Sequence, residues 1–535
     1  TKPSGLKAGT KFVEEDTGVE YTYDPVMQDW KKKVAPYSAI VCKDGSTVWA
    51  ENSDGGTIAS GEDAGKVIQA AIDYFYQEVS PGLQPRIEIY IKDNIGQPYN
   101  PEVSEHSELK PGLDTTVKIP SFCSIVSRHA KIYGDANPMF YMINPDGSRP
   151  EEASIKGLWI FSKRGRSGTN DLIRLHTGRR CSVEDCYLGY TAGNAIYCEG
   201  AWGTRLERLH LIEVGDYAND KHAIYLADDG TYGSNNLIIH DIYFGDLHGC
   251  FVKANNPNGG VAPAYFTIDL AMTETGIKSG ISGFPLIWLT TGDRVSLSRF
   301  RFHSVKLADP VIWIQYARHL SLEDLYIFMA KGIADEGNRG IWINDCIYDL
   351  NVADVYISSI GDNRLYFREM DRGRISNCHF YSRDGRTIIS VADDAAVSIS
   401  NSFFKTINDS YDMSLSSPGS GKVSLANVKH GGGGVELSSS YPFVVDADDG
   451  SLGLGLYESQ STDASGQIAI TFGGGAIKYA RRPNIHVIVE GAYQWYVAGW
   501  STDANGNYTG VTIQITDSGG TAVGSGVTAH IFAGC

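Results

Sequence analysis

The chain has 535 residues and a formal net charge of −17, with 60 glycines and 30 tyrosines. That length exceeds one ordinary hydrophobic core and suits a long repetitive body with end modules. The acidic balance excludes general nucleic-acid binding, which needs a basic footprint, and no apolar run is long enough to span a bilayer.

From Gly9 to Trp30 the text GTKFVEEDTGVEYTYDPVMQDW reads as two or three short strands around a DTG turn. It resembles the small β-hairpin modules at the front of phage and archaeal-virus tail proteins. Lys31 to Lys33 with Ala35-Pro36 follow as a linker. Further on, Val67, Ile68, Ala71, Ile72 and Phe75 share one helical face, with Ser60 or Asp63 placed to cap its start. Ile87, Ile89 and Ile91 then alternate as a strand. A short amphipathic helix ahead of a coil of strands resembles the N-terminal cap of pectate-lyase-like β-helices, where the helix covers the open apolar end of the solenoid. No secretory leader is visible ahead of Gly9.

The middle of the chain repeats a seven-residue phrase of alternating apolar residues with, usually, Asp or Asn in fourth place. It reads SVEDCYL from Ser182, RLERLHL from Arg205, IIHDIYF from Ile238, SLEDLYI from Ser321, NVADVYI from Asn351 and RISNCHF from Arg374, with weaker copies from Ser154 and Phe266. Copies start 23 to 33 residues apart, and each is followed by a second apolar run such as AIYL or PVIWI. This period marks stacked supersecondary units, and the 3.6-residue periodicity of helical repeats is missing. Strands separated by Asn, Asp and Gly, which tolerate a left-handed corner, describe a right-handed parallel β-helix. The nine cysteines lack a CxxC pair; Cys186 and Cys378 fall at one place in the phrase, so they are expected as small core residues rather than disulfides or a zinc site.

Beyond the Gly431–Gly434 run, alternating strands with D-A-x-G turns predict an antiparallel β-sandwich. It resembles the C-terminal receptor-binding or lectin-like sandwich of tail fibres. The expected fold is therefore all-β: a parallel β-helix with a small N-terminal module, a capping helix and a C-terminal sandwich. Residues 1–36 form the module and linker, 37–150 the cap and entry to the solenoid, 151–438 the body and 439–535 the sandwich. The order of the three parts resembles that of viral tailspikes. This resemblance implies a homotrimer on a virion tail, or otherwise an extracellular protein, that engages a host cell-surface polysaccharide.

With the phrase as a ruler, Glu213, Asp246 and Glu274 fall eight residues after the start on three successive rungs. Rungs stack about 4.8 Å apart, so these carboxylates cannot all ionise freely and one is expected to have the raised pKa of a general acid. Adjacent rungs match the roughly 5 Å of retaining glycosidases and alternate rungs, about 9.6 Å, the top of the inverting range, so both mechanisms stay open. Asp216, Asp220, His222 and His248 lie close in sequence, with Trp202, Tyr217 or Tyr232 as aromatic platforms for a sugar. The fourth-position residues Asp185, Asp241, Asp324, Asp354, Asn377, Asn401 and Asn427 belong to corners and are excluded from the site.

The expected function is a glycan depolymerase that hydrolyses polysaccharide through Glu213, Asp246 and Glu274, with Trp202, Asp216, Asp220, His222 and His248 binding substrate. A non-catalytic adhesin is the alternative. So is a lyase, for which Lys163, Arg164, Arg166, Arg179, Arg180, Arg299 and Arg301 supply cations without an obvious paired base. No resident cofactor is expected; calcium, a hard cation, is the one ion that stacked carboxylates would suit.

Overall fold

A computed structural model describes residues 11–13, 20–24, 29–32, 37–76, 86–96, 112–258, 262–273, 284–303, 310–329, 340–344, 346–359, 366–382, 387–406, 413–416, 422–430, 435–437, 443–447, 456–472, 477–479, 482–489, 493–504 and 506–534. The chain divides into two compact units, Thr1–Thr291 and Gly292–Cys535.

In the first unit the strands Lys11–Val13, Glu20–Asp24 and Asp29–Lys32 pair antiparallel; the DTG turn between the first two lies outside the described residues. The helix Ala64–Phe75 buries Val67, Ile68, Ala71 and Ile72. Of the two candidate caps it is Asp63 that serves, accepting from the Gly65 N–H at 2.9 Å, because Ser60 belongs to the strand Thr57–Gly61.

Parallel rungs follow. The inward positions stack in register: Ile155, Val183, Leu206, Ile239 and Ile268 pair in succession, and all are fully buried. Period-2 alternation sends these side chains to one face of every strand, so each rung adds one layer to a continuous core. Cys198 pairs with Leu226, and Leu226 with Ala254, in a second inward file. The eight described cysteines are all free. Burial pushes the Cys181 and Cys186 thiols up to about 12, as small apolar core residues require.

The second unit repeats the pattern, with Leu297, Leu322, Val352, Ile375, Ile399 and Leu425 in one inward file. Towards its end the strands Gln467–Thr471, Tyr508–Thr516 and Gln494–Thr502 form one antiparallel sheet, and Leu456–Ser461, Thr528–Gly534 and Asn484–Val489 another. Ile468, Ile470 and Phe472 meet Val487 and Ile531 in one buried cluster.

The corners explain the recurring Asp and Asn. Asp185, Asp241, Asp324, Asp354, Asn377, Asn401 and Asn427 all have φ between 48° and 56°, the left-handed region that Asn and Asp tolerate best after Gly. Their backbone N–H groups keep the ladder going round the bend, as from Asn377 to the Ser400 carbonyl at 3.1 Å. Asn377→Val is therefore expected to cost about 1–2 kcal/mol, while Asn377→Gly stays near neutral; chemical denaturation of the two variants checks this.

One rung departs from the sequence count. Ile238 pairs with Thr267 and Tyr243 with Met272, and the left-handed corner is Leu270. The phrase on that rung therefore begins at Thr267, not Phe266. A one-residue slip reverses the in-out assignment of every side chain; here Asp269 leaves the corner position and faces His240 at 3.1 Å. Among the described residues no helix is long and apolar enough to cross a membrane.

Candidate functional site

The strand Arg205–Val214 carries Glu213 near its end, and Asp246 directly follows the strand Ile238–Gly245. Gly189 pairs with Ile212, and Ile212 with Gly245, so the next residues, Tyr190, Glu213 and Asp246, occupy equivalent places on three rungs. All three are left-handed, with φ of 53°, 50° and 49°. Glu213 and Asp246 thus sit at a second corner, one rung apart. Glu274 lies outside the described residues, and a count of eight from the corrected start at Thr267 no longer ends on it.

Loops converge on this corner. His248 brings Nε2 to 3.9 Å from Glu213 Oε2. Arg166 donates to the carbonyls of Thr191 (2.9 Å) and Gly215 (2.6 Å). Burial lowers its guanidinium from the ordinary value, and the charges of Asp216 and then Glu213 oppose that shift. Asp216 bridges back to Lys221 through two backbone bonds of 2.9 Å and accepts from Asn219 Nδ2 at 2.7 Å.

Beyond that turn, Asp220 is the hub of a second cluster. Its carboxylate receives His222 Nε2 at 3.0 Å, the Tyr225 hydroxyl at 3.1 Å and the Lys253 ammonium. His222 is fully buried and Lys253 nearly so. The hydrogen bond from His222, then that from Lys253, holds the Asp220 carboxyl well below the usual carboxylate range. His222 Nδ1 accepts from the Cys250 N–H at 3.2 Å, which leaves the neutral ring with its proton on Nε2. Asn194 receives the His222 N–H at 2.7 Å and in turn donates to Asp171. Lys253 also lies over the rings of Trp288 (4.2 Å) and Tyr225 (5.3 Å), and Tyr217 stacks on Phe284 at 5.0 Å.

An outward aromatic file runs beside the corner. Trp159, Tyr187, His210 and Tyr243 pair in succession, with ring centroids 5.2, 4.3 and 4.6 Å apart. Burial pushes the Tyr187 phenol up to about 12, with Tyr190, Tyr243 and Glu213 adding to the shift. Tyr243 remains exposed.

Of the sequence candidates, then, Glu213, Asp246, Asp216 and His248 share one corner, and Asp220 with His222 lies a turn away. Trp202 stands apart, preceding the strand that Glu213 nearly ends; it is bridged to Arg179 and Asn235 at the opposite corner. Lys253, Tyr225 and Asp171 escaped the sequence reading. The signal for Lys253 was a lone cation inside an otherwise apolar second-strand run, FVKA. Among the proposed cations, Lys163 is held by Asp114 at 3.2 Å and Arg301 by both oxygens of Asp324 at 2.9 Å. Among the described residues no group of three or more His, Cys, Asp and Glu is arranged to hold a metal. A cleft of about 490 Å³ beside the capping helix includes Asp63, whose carboxylate is engaged by Gly65 and Thr115 in capping.

The cluster makes stability pH-dependent. Burial holds the His222 imidazole below its ordinary 6.5, so the unfolded chain takes up a proton there that the folded chain refuses. Its contribution is complete above pH 6.5 and is lost as pH falls through the folded value. Burial lowers His210 and His379 in the same sense, whereas the contribution of Asp220 fades only below its ordinary 3.8. The melting temperature should therefore fall in two stages on acidification, and His222→Asn should shrink the first; a flat profile from pH 7 to 5 would contradict this.

The fold and this corner define a parallel β-helix protein with carboxylates, cations and aromatics gathered on neighbouring rungs. The chain is similar to several solved phage proteins. ORF18 of Geobacillus virus E2 is 13% identical, covering 98% of this chain and 86% of its own, with a TM-score of 0.40. The tailspike protein of E. coli bacteriophage HK620, solved in complex with a pentasaccharide, is 10% identical over 90% and 92%, with a TM-score of 0.42. The tailspike gp49 of Pseudomonas phage LKA1 is 12% identical over 80% and 68%, with a TM-score of 0.29. No family model and no curated protein matches the sequence.

Proposed function

We propose that this protein is a viral tail protein that binds a host cell-surface polysaccharide across its rungs and hydrolyses it. The observation that carries the reading is the pair Glu213 and Asp246, one rung apart, with His248 and Arg166 at the same corner and the exposed edge of the aromatic file beside them. Aromatic faces hold sugar rings, and two carboxyls on adjacent rungs can protonate the leaving oxygen and attack the anomeric carbon. A one-rung separation, about 4.8 Å, favours retention over inversion.

The test is release of new reducing ends from purified host envelope polysaccharide. Release without an unsaturated uronate product supports hydrolysis; an unsaturated product means a lyase. Binding without any release means an adhesin. The tailspike resemblance also supports a homotrimer on the virion; light scattering should return three times the mass of the chain, and a monomer would contradict it.

A further inference from the structure

At the corner opposite Glu213 the first unit holds a cleft of about 380 Å³ that includes Arg149, Glu151, Thr177, Arg179, Trp202 and Tyr232 in its wall. Trp202 is 41% exposed and Tyr232 49%. Each ring carries a guanidinium on a face: Arg179 lies 4.9 Å from the Trp202 centroid and Arg149 3.9 Å from that of Tyr232.

We infer that this cleft is a binding subsite for an anionic pyranose, a sugar unit bearing a carboxylate, separate from the Glu213 corner. The inference rests on the glycan reading above and adds a second site of defined chemistry. Two exposed rings offer the flat apolar surfaces against which a sugar packs. Guanidinium edges beside those rings match a planar carboxylate with paired donors, which ammonium groups do not. Glu151 takes part of the charge of Arg179 at 3.3 Å, but among the described residues no carboxylate lies within ion-pair distance of Arg149. On a chain of net charge −17, such a spot is where an anionic ligand finds local attraction.

The cleft is built rather than incidental. Gly200 lies in its wall with φ of 62°, and a Cβ there would come to 3.0 Å from the Asp229 carboxylate and 3.1 Å from the Tyr232 carbonyl. The Asp229 carboxylate receives the backbone N–H groups of Thr231 and Tyr232, which fixes the loop that presents the ring. The left-handed backbone, with little room for a Cβ beside the Asp229 carboxylate, favours glycine at this position.

The experiment is calorimetric titration of the full chain with tetragalacturonate, its methyl-esterified form and inorganic phosphate. Saturation by tetragalacturonate is expected, with the ester at least about tenfold weaker, because it lacks the charged hydrogen bonds. Trp202→Ala and Arg149→Gln, both at exposed positions, should each weaken binding by about tenfold or more. Equal binding of the ester, saturation by phosphate alone, indifference to Trp202→Ala and Arg149→Gln, or no binding would each overturn the inference. Host polysaccharide cleavage in the same preparation separates the two claims: cleavage without tetragalacturonate binding sinks only this one, and binding without cleavage sinks only the hydrolytic reading of the corner.

Discussion

Glu213→Gln and Asp246→Asn are each expected to lower reducing-end release from host polysaccharide by roughly 10²–10⁴-fold, the range for losing one acid or base partner. Both substitutions keep size and hydrogen-bonding shape while removing the exchangeable proton and the charge. Both positions are half-buried corners rather than core, so melting temperature should move little. Because the two carboxyls act on one bond, the double variant should be only slightly worse than either single one. Glu274→Gln completes the set, testing whether the third acid from the repeat count takes part. Two singles with full release, assayed alongside an intact melting profile, would remove the corner from the chemistry.

Asp220→Ala is expected to destabilise the first unit by about 2–4 kcal/mol. Removing one partner of a buried ion pair costs about 3–5 kcal/mol because the other charge stays buried, and the half-exposed Asp220 carboxylate reduces that figure through solvent screening. The stranded group is the Lys253 ammonium, with a side chain only 5% exposed. His222 Nε2 and the Tyr225 hydroxyl lose the same acceptor. Adding Lys253→Met to Asp220→Ala should restore most of the loss, since an apolar side chain of similar length needs no counter-charge between Tyr225 and Trp288. Denaturant titration of Asp220→Ala, Lys253→Met and the double variant checks both steps; additive losses would show that the pair is not coupled.

The repeat phrase made the solenoid legible because a period-2 strand with one left-handed residue leaves a strict trace: an apolar residue at each inward place and Asp, Asn or Gly at the bend. The corners at Asp185, Asp241, Asp324, Asp354, Asn377, Asn401 and Asn427 obey it. The rule failed where a residue without that tolerance took the bend. Leu270 does so, and a count from Phe266 therefore runs one residue early and ends on Glu274. Arg208 and Arg299 take the same bend, with φ of 52° and 54°; there the surrounding alternation kept the register.

The candidate site was legible only in part, for a different reason. Corner position can be counted, which is how Glu213 and Asp246 were found. What a long side chain reaches across rungs cannot be counted. Lys253 meets Asp220 from 33 residues away, and Arg166 reaches the Gly215 carbonyl across 49. Trp202 was grouped with the acids by closeness in sequence, yet a ten-residue strand carries the chain from its corner to theirs.

Glycan chemistry at the corner of Glu213 and Asp246 is best tested by a crystal structure of Glu213→Gln soaked with an oligosaccharide of the host polysaccharide. The expected density is a sugar with its glycosidic oxygen within hydrogen-bond reach of residue 213 and its anomeric carbon facing the Asp246 carboxylate. An oligosaccharide bound only elsewhere, with that corner left to solvent, would contradict it.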